Sequence, residues 1–304
     1  MTLSQLLHLL LGTAVLLALT AVVLRAGRVQ LGLAPYTAVL RGGAQLAVVG
    51  LALRGVLTYP PAVALVLVLM LGTATRTATG RLAALDRPGR AVVLACTSGA
   101  VVTLALVFAL GVLPVQARYV VALGGIVIGN TMTAATLAGR QLIAGLRSRR
   151  EEVEGWLAIG ATPRQAVADI ARAAAGEALV PALDQTRTTG VVTLPGAFIG
   201  ALLGGASPTQ AARFQLVVLV SLIAAEAIVA VALVRLLGAP THHPPDPPGD
   251  HLHQGRVAKD RRRRWPLRSG RLDVGRRTLP VGWISARGPV AEDASARSHG
   301  PASA

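Results

Sequence analysis

The chain is predicted to be an all-α polytopic membrane protein of about seven transmembrane helices, with its N-terminus outside and its C-terminus in the cytoplasm. Three observations predict this. Hydrophobic residues make up 53% of the sequence and charged residues only 14%, and the charged ones are clustered. Between the clusters run apolar stretches of about 18–24 residues, the length that crosses roughly 30 Å of hydrocarbon at 1.5 Å per residue. Arginine-rich loops alternate with arginine-poor ones, as the positive-inside rule requires.

The first apolar run, 4–24, starts close to Met1 without a positive leader region, and no convincing cleavage site precedes Arg25, so it reads as a retained span. Spans at 34–57, 60–77, 91–113, 118–139, 189–206 and 213–237 follow. Thr73, Thr75, Thr77 and Thr79 dilute the third, and glycine dilutes the sixth. The loops after spans one, three and five carry the arginines: Arg25 and Arg28; Arg76, Arg81, Arg87 and Arg90; and a set running from Arg140 to Arg187. The other loops offer only Arg54, Arg118 and Arg213.

The net charge of +16 sits beside spans and in the tail, a placement that suits membrane lipid and argues against nucleic acid as a partner. Cys96, the single cysteine, lies in an apolar stretch and reads as a packing residue, so no disulfide framework or cysteine metal cluster is expected. Residues 1–238 are expected to form the membrane domain. Residues 239–304 are rich in Pro, His and Arg and are expected to be a disordered cytoplasmic tail, too polar to offset its ordering entropy. There His242, His243, His251 and His253 read as a solvated linker or a weak metal site, and Arg261–Arg264 as a contact for anionic headgroups.

Residues 140–188 form a charged segment between spans, read as a cytoplasmic hairpin of two helices. Val153, Trp156, Leu157 and Gly160 share one face of the first, and Glu151, Glu152 and Glu154 crowd its first turn, where negative charge suits the helix dipole. Gly160 and Ala161 close it. Thr162 caps the second helix, Pro163 takes its first position and Gln165 completes a capping box. Val167, Ile170, Ala171, Ala174 and Ala178 line one face of this helix, which is expected to end before Pro181. The corner is either a handle for a partner protein with a helix-accepting groove or an amphipathic element resting on the bilayer.

Within the spans, Glu226 is costly near the bilayer centre and must face the bundle, either as a structural group or in substrate or proton handling. Arg41 and Gln45, one turn apart, share a face, and an Arg41–Glu226 ion pair is expected as one way to neutralise both. Asn130, with Thr131, Thr133 and the close-approach glycines Gly124, Gly125 and Gly129, serves interhelical hydrogen bonding or a transport path. Gly196, Gly200 and Gly204 form a ridge for tight packing, at a dimer interface or within the bundle. Pro195 marks a hinge after the hairpin, and Asp184 and Arg187 stand at pairing distance before it.

The pieces Gly129-Asn130, Glu154 with Leu157-Ala158-Ile159-Gly160-Ala161-Thr162-Pro163, Leu194-Pro195-Gly196, and Gly204-Gly205-Ala206-Ser207-Pro208 resemble the iron-export ABC permeases of the FetB type, to which plant aluminium-tolerance half-transporters are related. The resemblance covers about residues 4–237 and is strongest over 125–220. It implies a permease subunit of a bacterial cytoplasmic membrane, a homodimer paired with two copies of a separate ATPase, exporting iron or another metal cation. It also implies that this chain binds no cofactor, with ATP and magnesium on the partner subunit. Glu151, Glu154, Trp156, Leu157, Gly160, Ala161, Thr162 and Pro163 would then form the coupling element, and Asn130, Glu226, Arg41 and Gln45 the transport path.

The only lysine, Lys259, lies in the tail, so no phosphate-binding loop of the Gly-x4-Gly-Lys-Ser/Thr kind is present and the chain is not expected to be an enzyme. No metal-ligand spacing or nucleophile elbow occurs in the spans. Glu154, Gly160 and Ile170 also half-meet the coupling-loop pattern of importer permeases, which departs here at Gly155-Trp156 and Arg172-Ala173. An importer permease for a metal or small solute, a motor-independent secondary transporter and a membrane scaffold stay open as alternatives.

Overall fold

The computed structural model describes residues 3–56 and 59–238. The helices among them are α1 (Leu3–Ala26), α2 (Ala34–Val56), α3 (Pro60–Arg81), α4 (Pro88–Ala109), α5 (Ala117–Ser148), α6 (Arg150–Ala158), α7 (Pro163–Thr188), α8 (Gly196–Leu203) and α9 (Pro208–Leu237). The expectations for residues 239–304, including the histidines and Arg261–Arg264, fall outside the described residues.

Local chemistry accounts for the helix starts. Proline occupies the first turn of α3, α4, α7 and α9, where its missing N–H costs nothing. Inside the apolar helices, threonine hydroxyls donate back to carbonyls one turn earlier, as Thr13 does to Leu9, Thr75 to Leu71 and Thr136 to Met132, which satisfies these polar groups within their own helix.

Five described helices, α1, α3, α4, α5 and α9, are long and apolar enough to cross a membrane. The helix α2 also has the length, at 23 residues, and carries Arg41 and Gln45 one turn apart. The sixth predicted span needs correction. Residues 189–195 form no helix and α8 has only eight residues, about 12 Å of rise, too short for a bilayer. The second hairpin helix is longer than expected. It does not end before Pro181 but runs through it to Thr188, 26 residues in all. Pro181 has no N–H to give the Glu177 carbonyl, and Ala178 and Ala182 on either side of it are buried.

The helices α3, α4, α5, α7 and α9 pack about one another, and close contacts set their register. One core cluster holds Leu82 and Leu85 after α3, Val153 of α6, Val167 and Ile170 of α7, and Leu233 and Leu237 of α9. The hairpin, the α3–α4 loop with Arg87, and the C-terminus of α9 therefore share one end of the bundle. Leu113, Leu123 and Val218 mark the opposite end, where the rings of Tyr119 and Phe214 lie 5.8 Å apart. Between the ends, a Cβ on Gly99 would lie 2.5 Å from Val229 Cγ2, 2.8 Å from the Ala225 carbonyl and 3.5 Å from Thr131 Cγ2. Gly99 stands at the centre of α4, so these residues mark the bundle's mid-level.

Candidate functional site

Two regions hold the residues singled out from sequence. The first is the corner between α6 and α7. Gly160 takes a φ of +89°, a conformation that suits glycine. The Gly160 N–H donates to the Leu157 carbonyl and the Ala161 N–H to the Trp156 carbonyl, each at 3.0 Å, which closes α6 in a Schellman turn. Thr162 then caps α7: its hydroxyl accepts from the Gln165 N–H while the Gln165 side chain accepts from the Thr162 N–H at 2.9 Å. Pro163 occupies the first turn of α7. The corner is thus rigid by hydrogen bonding, as its sequence predicts.

Its surface differs in one respect from the expected shared face. Val153 is buried against the bundle, but Trp156 is 48% exposed, Leu157 is exposed and Ile159 is 74% exposed. A cavity of about 590 Å³ opens beside them, lined by Glu152, Trp156, Ile159, Gly160, Gln165 and Asp169 among others. Charge pairs frame the apolar tip. Arg149 pairs with Glu152 at 2.6 Å, Arg150 with Glu154 at 2.8 Å, and Arg172 with Asp169. The hydrogen bonds that Arg149 donates to the Glu152 carboxylate raise the proton affinity of its guanidinium above the ordinary value. Glu151 lies exposed in the first turn of α6. A protruding, pre-organised, apolar tip with polar flanks is suited to insertion into a partner's groove.

The second region is a polar belt at mid-level. Glu226 is 6% exposed and follows Ala225, whose carbonyl faces Gly99. No ion pair reaches Glu226 among the described residues, so the expected Arg41–Glu226 pair is not formed. Arg41 and Gln45 are exposed on α2, whose main neighbour is α3, and Arg41 lines a cavity of about 490 Å³ with Thr73, Arg76, Thr77 and Gly80. Helix α9 packs instead on α4, α5, α7 and α8, which separates these groups. Asn130 is half-buried and donates to its own helix, from Nδ2 to the Ile126 carbonyl at 2.9 Å. Gly124 and Gly125 admit Leu67 and Met70 of α3, whereas Gly129 faces open space. Cys96 is fully buried, its thiol 3.6 Å from the Thr131 carbonyl, in keeping with a packing role.

The glycine ridge is placed otherwise than an intra-bundle contact would require. A Cβ on Gly196 or Gly200 would meet nothing within 4 Å, and one on Gly204 only carbonyls of α8 itself. Pro195 stands immediately before α8, as its N-cap, beyond the end of α7. Asp184 and Arg187 do pair, at 3.6 Å.

Sequence reading missed a second corner. Residues 205–210, Gly-Ala-Ser-Pro-Thr-Gln, repeat the pattern Gly-Ala-Thr-Pro-Arg-Gln of 160–165. Gly205 also takes a φ of +89°, Gly205 and Ala206 close α8 by the same two bonds at 3.0 Å, and Ser207 forms a capping box with Gln210. The signal was a six-residue repeat 45 positions apart. The buried Thr103 hydroxyl and Gln215 carbonyl, both without a hydrogen-bond partner, were also missed, since an isolated Thr or Gln in an apolar run carries no motif.

Residues 7–240 match the model of the uncharacterised protein family UPF0014. The chain belongs to UPF0014. The UPF0014 chain is 36% identical over 193 residues to the UPF0014 membrane protein STAR2 of Oryza sativa subsp. japonica, covering 63% of this chain and 68% of the relative. It is 32% identical over 200 residues to the protein ALUMINUM SENSITIVE 3 of Arabidopsis thaliana, covering 65% and 73%. It is also 34% identical over 125 residues to the probable iron export permease protein FetB of Escherichia coli K12, covering 41% of this chain and 48% of that one. No solved structure matches the UPF0014 chain.

Proposed function

We propose that this chain is the membrane subunit of an ABC transporter that exports iron or another metal cation, driven by a separate ATPase. One observation carries the reading: the α6–α7 corner presents Trp156, Leu157 and Ile159 to solvent on a hydrogen-bonded turn, at the end of the bundle that also holds the α3–α4 loop. An exposed apolar tip on so rigid a corner suits a partner that transmits force through it. The surface-lying alternative is less well supported, because Val153 anchors α6 in the core cluster of the bundle. The cargo and its direction come from the name of the Escherichia coli relative alone.

In this reading the chain crosses a bacterial cytoplasmic membrane seven times, with the sixth crossing shared by the far half of α7, residues 189–195 and α8. The hairpin and the C-terminus lie in the cytoplasm. Two copies engage two ATPases, ATP and magnesium sit on those partners, and this chain holds no cofactor. Glu226, Asn130, Thr103 and Gln215 supply the polar groups along the path.

The test is whether a gene for an ATPase with a phosphate-binding-loop lysine lies beside this one and whether its product co-purifies with the chain. Wild type should retain the ATPase, and Gly160→Trp and Trp156→Glu should lose it. Gly155→Ala, on an open helical position, should keep it. Transport that persists after deletion of that ATPase would establish a motor-independent transporter instead. Dependence on an external binding protein would establish an importer.

A further inference from the structure

Helix α7 carries Arg164, Asp169, Arg172, Glu177, Asp184 and Arg187, yet it packs along the apolar helices α5 and α9. Its depth follows from contacts. A Cβ on Gly145 would lie 2.5 Å from Ile170, and one on Gly238 lies 3.8 Å from Ala171, so Ile170 is level with the hairpin end of α5 and the last turn of α9. Gln141 and Glu177 line one cavity, which shows that α7 runs antiparallel to α5 from there. Asp184 lies fourteen residues beyond Ile170, about 21 Å of helix rise. The same distance back along α5 from Gly145 is residue 131, and Thr131 faces Gly99 at the centre of α4. Asp184 and Arg187 therefore stand at the mid-level of the bundle.

They also point away from it. Their side chains are 60% and 75% exposed, and the pair they form is open to its surroundings. A charge facing hydrocarbon at such a depth is strongly disfavoured, so this pair calls for cover. The same side of α7 shows Ala173, Gly176 and Val180 exposed and Leu183 half-buried, a run spaced three and four residues apart that ends on Arg187. Among the described residues, nothing outside the adjacent backbone of α7 comes within 4 Å of a Cβ built on Gly176. This is the period of a helix–helix seam. Ala173 and Gly176 are small enough for close approach, and Val180 and Leu183 supply apolar side chains to interlock nearer the charges.

We infer that α7 is the helix by which two copies of this chain pair, seam to seam through Ala173, Gly176, Val180 and Leu183. Across a two-fold axis along the membrane normal the two α7 helices are parallel. Asp184 of one copy then meets Arg187 of the other, and both charges leave the lipid. The face is self-complementary because it carries both signs one turn apart. The inference deepens the permease reading and rests on its membrane crossing by α7, but not on the ATPase.

Cysteine cross-linking of the full chain in native membranes tests it. In a Cys96→Ala background, single cysteines are placed from 172 to 187 and at Leu94 and Leu216, exposed positions on α4 and α9. Oxidation should give a covalent dimer at 173, 176, 180 and 183, with troughs between them and none at 94 or 216. Asp184→Arg should remove the dimer in chemical cross-linking, and Asp184→Arg with Arg187→Asp should restore it. A dimer linked through α4 or α9 instead, no dimer at all, or no recovery in the swapped variant overturns the inference. ATPase co-purification from the same membranes separates the two readings. Loss of the α7 links with the ATPase still bound sinks this interface alone, and α7 links without any bound ATPase sink the ATPase-driven reading alone.

Discussion

Gly99 and Glu226 behave differently from their neighbours for opposite reasons. Gly99 is needed because backbone, not a flexible side chain, occupies the space beside it: the Ala225 carbonyl stands 2.8 Å from where a Cβ would be. Gly99→Ala should lower stability by about 1–3 kcal/mol, the cost of overpacking a tight contact. Thermal unfolding in detergent should show a midpoint drop that Gly129→Ala, with open space around it, does not produce. Glu226 is the converse case, a carboxyl buried beside that same contact with no described cation to pair it. Glu226→Gln keeps its shape and breaks no ion pair. Its thermal midpoint should match or exceed wild type, while metal efflux from cells falls. A large loss of stability would mark Glu226 as structural.

At the scale of elements, the two Gly-Ala-Thr/Ser-Pro-x-Gln corners are built alike and end alike, each joining a short helix to a long one. The capping bonds hold the angle. Thr162→Ala removes one half of its capping box and should cost about 1 kcal/mol. Amide exchange should quicken in the first turn of α7 and not in α5. The exposed pairs Arg149–Glu152 and Arg150–Glu154 are a different matter, since screened surface pairs are worth about 0–1 kcal/mol each. Glu152→Gln and Glu154→Gln should leave the unfolding midpoint nearly unchanged, so any effect on ATPase retention reports docking and not folding.

For the whole molecule, the register places the corner at Gly160 and the corner at Gly205 at opposite ends. The α9 helix runs from Ser207 past Phe214, beside Tyr119, to Leu237 in the cluster with Val153. Single cysteines at Glu152 and Thr209 in a Cys96→Ala background should therefore react with an impermeant maleimide from opposite faces of sealed vesicles. Glu152 should react from the cytoplasmic face. Reaction of both from one face would contradict the crossing by α7 and α8.

Much of this was legible in the residues themselves. The apolar runs of α1, α3, α4, α5 and α9, the prolines at helix starts and the Thr162–Gln165 cap are local properties, set by a residue and its neighbours within a turn or a bilayer's thickness. The resemblance drawn from Gly160 to Pro163 and from Gly204 to Pro208 agrees with membership of UPF0014. Three things were decided only by packing between helices distant in sequence. The helix α7 continues through Pro181, with Ala178 and Ala182 buried on its inner face, and residues 189–206 hold only the eight-residue α8 where composition had assigned a span. Arg41 and Glu226 stay apart because α2 packs on α3 and α9 does not. The charges Asp184 and Arg187 sit at mid-level because Ile170 is seated on Gly145. Periodicity and capping act along the chain, whereas depth and partnership depend on which helices touch, and no local pattern encodes that.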